Sequence, residues 1–354
     1  MHILIIKLSA IGDVVLTLPA VSALRKTYPD ASITWVVDTK AGAILEGNPQ
    51  IDRIVKLNTS SWGKNPFNPD TIGGMKSTWK QLRDSKIDIA IDFQGLMKSA
   101  LVARLSGAKR RIGFATNELR ERASRHFLTE QIGEAEGGHM IEKNLRLAEA
   151  AGARPNGDYE FPIFVSQTDD RLIKNRLQAE GIGDFAILNP GGGWVTKLWA
   201  PEKYGQLARW LWKNYGFRSV VTYGPGEEPL AESVVSVNRN GVAVAMSTSL
   251  KQFVALARRA KLMVSGDTGP MHLAAAVRTP IVAMFGPTAA HRNGPFSKTD
   301  ETVGRDVPCR TNCYRRTCNE WICMEIPLAD VQSAIEKRLE AIGYMPAKAS
   351  EMTV

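Results

Sequence analysis

The chain has 354 residues, of which 44% are hydrophobic and 23% charged, and its formal net charge is +9. That composition excludes a chiefly disordered chain and a small disulfide scaffold, and the length suits two domains of ordinary size. The basic balance points to an anionic partner (nucleic acid, a membrane surface or a phosphorylated substrate) without choosing among the three. Taken in order, residues 3–6 are a continuous apolar run, the pattern of a parallel strand buried on both faces. Lys7 and Asp13 interrupt the apolar stretch, so it does not read as a signal peptide, and a cytoplasmic protein is expected. Apolar residues then recur at helical spacing at Val14, Leu18, Val21 and Leu24, up to Tyr28 and Pro29, and a strand follows over 33–37. This is a βαβ unit with a right-handed crossover. Further strands are predicted at 54–57, 87–92 and 111–113, with helices near 39–47, 71–84, 95–106 and 139–151.

Residues 152–158, rich in turn formers, approach a domain boundary. After a helix over 168–180 the same alternation restarts. Strands are predicted at 185–188, 219–223, 242–245, 261–265 and 280–285, with helices at 201–215, 227–237, 250–260 and 269–277. A last amphipathic helix spans 327–342, and the tail from Met345 has no periodicity. No apolar run approaches the ~18 residues of a membrane span. The pattern is α/β, two halves with a cleft between them, in which ligands sit at the carboxyl ends of strands. The strand-to-helix loops are therefore the places to look for chemistry.

Three loops stand out. Asp13 follows Gly12 at the start of a helix. It is either an N-cap or, stabilised by the same helix dipole and N–H groups, an ionised carboxylate fit to act as a general base. Asn189-Pro-Gly-Gly-Gly193 leaves a strand and leads to Trp194-Val-Thr-Lys197-Leu-Trp199. Its glycines allow a close backbone approach, and Lys197 is a point charge for a phosphate. A plain surface turn fits the glycines equally well. Val264-Ser-Gly-Asp267-Thr-Gly-Pro-Met-His272 enters a helix with Pro270 in its first turn, so Thr268 and Gly269 offer N–H groups at the positive helix end. Asp267 either caps that helix or accepts from a ribose hydroxyl, and His272 either packs on the helix or faces a ligand. Tyr223-Gly-Pro-Gly-Glu227 and Phe285-Gly-Pro-Thr288 repeat the strand-end pattern, with Glu227 able to accept from sugar hydroxyls.

No Gly-x-Gly-x-x-Gly or Walker-type loop follows the first strand of either half, which weighs against dehydrogenases and P-loop enzymes. No Asp-x-Asp suggests a metal holding a diphosphate. Cys309, Cys313, Cys318 and Cys323 are the only cysteines, and they are separated by three, four and four residues. That spacing lacks the Cys-x-x-Cys knuckle of common zinc sites, and reduced, partly buried thiols are the expected state.

Together these motifs resemble glycosyltransferase family 9, the lipopolysaccharide heptosyltransferases, closest to the heptosyltransferase I type. The matching pieces are Lys7-Leu-Ser-Ala-Ile-Gly-Asp13-Val-Val-Leu-Thr-Leu-Pro19, Asp92-Phe-Gln-Gly-Leu-Met-Lys98-Ser, Lys197-Leu-Trp199 and Ser265-Gly-Asp267-Thr-Gly-Pro-Met-His272. The resemblance covers residues 1 to about 342. It implies a GT-B architecture of two Rossmann-like domains: an acceptor domain over 1–165, a nucleotide-sugar domain over 166–326, a helix over 327–344 packing back on the first domain, and a mobile tail over 345–354. Domain closure over the donor would hinge near 155–180. The resemblance further implies an inverting transfer of L-glycero-D-manno-heptose from ADP-heptose to the Kdo-bearing inner core of lipopolysaccharide, with no metal and no cofactor. Asp13 looks like the base and Lys197 like the group stabilising the leaving diphosphate. By the same resemblance Gly192, Thr196, Lys197, Glu227, Thr248, Asp267, Thr268, Gly269 and His272 contact the donor, and Gly12, Gln94, Lys98 and Arg120 the acceptor. Heptosyltransferase I enzymes tend to carry several arginines after the third strand, whereas Thr59-Ser-Ser-Trp62-Gly-Lys64 has one cation here, which leaves the exact acceptor open.

Another nucleotide sugar, a UDP- or GDP-sugar, is the alternative donor. A nucleic-acid-binding role is suggested by charge alone and lacks any reader motif. Within 98–125, eight basic residues face two acidic ones. In an acceptor domain that patch suits an anionic, lipid-linked sugar at the inner face of the inner membrane, with the protein peripherally attached.

Overall fold

The structure is a computed structural model, and it describes residues 1–58, 68–116, 118–119, 121–133, 138–238, 241–309 and 313–346. The loop of Trp62 and Lys64, the predicted acceptor residue Arg120 and most of the tail lie outside the described residues. Met1–Phe164 and Val165–Val354 form two compact units.

The first unit contains one parallel sheet of β1 (His2–Ile6), β2 (Ser32–Asp38), β3 (Arg53–Leu57), β4 (Ile89–Asp92), β5 (Arg110–Phe114) and β6 (Glu130–Ile132), in the order β3-β2-β1-β4-β5-β6. Ile3, Leu4, Ile5 and Ile6 of β1 are all 0% exposed, because β1 is a central strand covered on both faces. Its register pairs Ile5 with Trp35 on one side and Ile91 on the other. The helix expected from Asp13 onward is two helices, Ile11–Val15 and Leu18–Thr27. Pro19 starts the second in its first turn, where its missing N–H costs nothing.

The second unit repeats the topology. Its strands are β7 (Phe185–Asn189), β8 (Arg218–Tyr223), β9 (Ala243–Ser247), β10 (Leu262–Gly266), β11 (Ile281–Phe285) and β12 (Glu301–Gly304), ordered β12-β11-β10-β7-β8-β9. In each sheet the order reverses beside the first strand of the unit, between β1 and β4 and between β7 and β10. Such a reversal opens a crevice at the carboxyl ends of the two strands. The edge strands β6 and β12 are absent from the sequence reading. They are short and only half-buried, so neither a long apolar run nor clean alternation marks them.

One expectation is corrected. The helix Leu328–Glu340, expected to pack back on the first domain, buries Val331, Ile335 and Leu339 in the core of the second unit. Its polar side is tied to the same unit. Arg338 Nε donates to Asp300 Oδ1 at 2.8 Å, and Lys337 Nζ is 2.9 Å from Glu301 Oε1. An amphipathic stripe establishes that a helix packs, but not which sheet it covers.

Candidate active site

In the first unit the β1–helix loop and the loop after β4 meet at the sheet's reversal point. Gln94 Oε1 accepts from the backbone N–H groups of Leu8 and Ser9, each at 3.0 Å. The Gln94 carbonyl, expected at the acceptor, is therefore a strut under the loop that carries Asp13. Lys7 is 3% exposed and donates its Nζ to the Phe93 carbonyl at 2.8 Å. The same Nζ is 3.8 Å from Asp13 Oδ1. Asp13 Oδ2 accepts from the Ala10 N–H at 3.0 Å, and the side chain is 40% exposed. Asp13 is not the N-cap. It sits in the first turn of Ile11–Val15 and reaches back to the residue before that helix. One loop N–H and one buried lysine thus orient a carboxylate that stays open to solvent, as a base working on an incoming hydroxyl requires.

Beneath this loop Asp92 ends β4, fully buried. Its Oδ1 accepts from the Gln94 N–H at 2.9 Å and the Gly95 N–H at 3.1 Å, and its Oδ2 from Ser99 Oγ at 3.0 Å. Burial pushes its pKa up to about 6, against those hydrogen bonds and the Lys7 charge. Gly12 is buried within Ile11–Val15, and Lys98 is half-buried in the first turn of Met97–Leu105. The basic stretch is thinner than its count of charges suggests. Arg110 donates to both oxygens of Glu130 and to the Ala150 carbonyl, and Arg111 donates to the carbonyls of Phe127 and Ala108. Arg104, Arg122 and Arg125 are exposed, on Met97–Leu105 and on the 3₁₀ turn Arg122–Phe127 that packs against it.

In the second unit the loops after β7 and β10 hold most of the predicted donor residues. Asp267 is the hub. Its Oδ2 lies 2.6 Å from Lys197 Nζ and accepts from Thr288 Oγ1 at 2.7 Å, and its Oδ1 lies 3.4 Å from His272 Nε2. Burial alone would raise the Asp267 pKa. The His272 hydrogen bond and the Lys197 charge outweigh it and hold the carboxyl well below the usual carboxylate range. His272 is buried, and its Nδ1 has no partner among the described residues. Thr268, not Asp267, caps the helix Gly269–Ala276: its Oγ1 accepts from the Met271 N–H and also contacts Ser265 Oγ at 3.0 Å. The Gly269 N–H therefore stands at the positive end of a capped helix whose preceding loop is held by a neutralised Asp–Lys–His set, a geometry suited to a phosphate.

Glu227 also has a different immediate task from the one expected. Its Oε1 accepts from the Gly192 N–H and its Oε2 from the Gly224 N–H, both at 2.8 Å, so it staples the loops after β7 and β8. The Thr196 hydroxyl donates to the Arg315 carbonyl at 2.6 Å. Thr248 is half-buried after β9, the edge strand farthest from β10 in the sheet, and is not drawn into the Asp267 cluster. Sequence reasoning passed over Thr288, Asp92 and Lys7 as site residues, although all three stand in stretches it singled out. The signal available for Thr288 was its place in a strand-end Gly-Pro turn. The four cysteines are free thiols, but the expected partial burial holds for Cys323 alone, since Cys309, Cys313 and Cys318 lie exposed; among the described residues no three His, Cys, Asp or Glu side chains are grouped to hold a metal. Among those residues no helix is long and apolar enough to cross a membrane.

Residues 75–322 match glycosyltransferase family 9 (heptosyltransferase). Over 319 residues the chain is 28% identical to lipopolysaccharide heptosyltransferase 1 of Pseudomonas aeruginosa, covering 90% of this chain and 87% of that protein. It is also 28% identical over 340 residues to lipopolysaccharide heptosyltransferase 3 of Escherichia coli K12, covering 93% and 95%. Its structure is similar to that of E. coli heptosyltransferase WaaC with ADP-2-deoxy-2-fluoro heptose, with a TM-score of 0.72 at 25% identity, covering 86% of this chain and 93% of that one. The two six-stranded parallel sheets match the GT-B fold of that heptosyltransferase structure.

Proposed function

The chain belongs to glycosyltransferase family 9, the heptosyltransferases, and is a glycosyltransferase. From that premise we propose that it transfers L-glycero-D-manno-heptose from ADP-heptose to the Kdo-bearing inner core of lipopolysaccharide, with inversion at the anomeric carbon and without a metal. The observation that carries the reading is the Asp267–Lys197–His272 cluster at the start of Gly269–Ala276. It holds an ion-paired lysine and a capped helix end together at the sheet's reversal point, and the helix-end N–H suits an anion.

The chemistry follows from the residues. Asp13 takes the proton of an acceptor hydroxyl as that oxygen forms its bond to C1 of the heptose. The bond from C1 to the diphosphate oxygen breaks with its electron pair, and ADP leaves. General-base help of this kind is worth about 10²–10⁴ in rate. The transition state is oxocarbenium-like, so charge builds on the leaving diphosphate, where the Gly269 N–H and the Lys197 ammonium donate. Because Lys197 is already ion-paired, it acts there as a directed hydrogen-bond donor more than as a spare positive charge. In the first unit Lys98, Arg104, Arg122 and Arg125 provide the basic surface for an anionic, lipid-linked acceptor presented at the inner face of the inner membrane, where the protein attaches peripherally.

The test is transfer from ADP-heptose to Kdo-lipid A, with the product identified by mass and its anomeric configuration by NMR, in the presence of EDTA. UDP- and GDP-sugars form the comparison arm. Transfer from one of those, with none from ADP-heptose, replaces the donor assignment.

A further inference from the structure

Residues 313–323, which carry three of the four cysteines, are tied to the loops that hold the Asp267 cluster. The Tyr314 N–H donates to the Pro287 carbonyl at 3.2 Å, in the turn after β11. The neighbouring Arg315 carbonyl is gripped by the Thr196 hydroxyl at 2.6 Å. Arg292 Nη1 donates to the Tyr314 hydroxyl at 3.2 Å, and the Arg292 Nε is buried with no partner among the described residues. Farther along, a Cβ placed on Gly286 would come within 3.1 Å of Cys323 Sγ, so that end of the segment lies against the same turn. The segment is thus tied to the loops after β7 and β11, which flank the Asp267 cluster.

This anchoring fixes Arg316. Its guanidinium carbon is 5.3 Å from the centre of the Trp194 ring, and Lys197 Nζ is 4.5 Å from the same ring. Two cations therefore share one indole, where each is attracted to the ring but repels the other. Lys197 is balanced by Asp267, whereas Arg316 has no ion-pair partner among the described residues. A diphosphate brings more negative charge than a paired lysine and a helix end can match. Arg316 is the unmatched cation on the same ring as that lysine, with the fork geometry that phosphate oxygens favour.

We propose that Arg316 is a donor-binding residue that contacts the diphosphate of the nucleotide sugar, and that the anchored stretch 313–323 serves to present it. The proposal rests on the donor reading above. It is tested by calorimetric binding of ADP and of AMP to the wild type, Arg316→Gln and Arg316→Lys, at low and high salt. Arg316 is exposed, so neither substitution removes core packing. Arg316→Gln is expected to weaken ADP about 10–100-fold, the scale of a lost charge-assisted hydrogen bond. It should weaken AMP by less than about 3-fold, since AMP lacks the second phosphate, and flatten the salt dependence of ADP binding. Arg316→Lys keeps the charge but loses the fork and is expected to fall between. An Arg316→Gln protein that binds ADP as the wild type does overturns the proposal and leaves the donor reading standing. A wild-type protein that binds neither ADP nor ADP-heptose overturns both.

Discussion

Lys197 Nζ lies 2.6 Å from Asp267 Oδ2, with the two side chains 14% and 6% exposed. The lysine that the sequence offers as a point charge for a phosphate is half of a largely buried ion pair. Thr288 and His272 share the same carboxylate. A set closed in this way holds its lysine at a fixed angle. That favours the positioning of a leaving group over bulk charge neutralisation.

Asp267→Asn therefore leaves the largely buried Lys197 without its counter-charge. Breaking such a pair from one side costs about 3–5 kcal/mol. The folded pKa of Asp267 lies below that of the unfolded chain, so its contribution is full above the unfolded value of about 4 and is lost as the pH falls toward the folded value. Urea unfolding of both proteins should show a gap that is constant from pH 5 to 7 and narrows below pH 4. A gap independent of pH down to 2 contradicts this assignment.

Asp92 gives the opposite slope. Burial raises its pKa to about 6, so the folded state binds the extra proton between pH 4 and 6 and the wild type loses stability as the pH rises through that window. Asn at this position keeps an acceptor for the Gln94 and Gly95 N–H groups and donates to Ser99 without ionising. The stability of Asp92→Asn relative to the wild type should rise by about 3 kcal/mol between pH 4 and pH 7, the equivalent of about two pKa units. Denaturant titrations at four pH values measure it.

Asp13→Ala should reduce kcat about 10²–10⁴-fold while ADP affinity changes by less than about 2-fold, because Asp13 belongs to the first unit and the helix-end phosphate site to the second. The alternative for Asp13, a purely structural bond to the Ala10 N–H, predicts a lower melting temperature with turnover kept in the surviving folded protein.

Two neighbouring glycines separate a constrained loop from a loose one. A Cβ on Gly191 would sit 2.1 Å from Glu227 Oε2, whereas a Cβ on Gly193 meets nothing within 4 Å. Gly191→Ala must push Glu227 off the Gly192 and Gly224 N–H groups, at a cost of about 1–3 kcal/mol and with a raised KM for the donor. Gly193→Ala should leave both nearly unchanged. Thermal melts and donor KM values for the pair decide whether Glu227 staples the pocket.

Most of the architecture is legible in the residue pattern. Apolar runs at 3–6, 185–188 and 280–285 mark central strands because both faces of a parallel strand are covered, and the Gly-rich strand ends mark the loops where ligands bind. The placing of Asp13, Lys197, Asp267, Thr268 and His272 in or just after strand-end loops is legible for the same reason, since chain proximity sets it. Relations between residues remote in sequence come from folding alone. Folding placed Lys197 on a carboxylate seventy residues away and made Glu227 and Gln94 struts between loops. It assigned the last helix to the second unit and carried Arg316 to the ring of Trp194. Those outcomes depend on which charged groups meet once water is excluded and on how far each side chain reaches across a turn, and neither periodicity nor spacing records such distances.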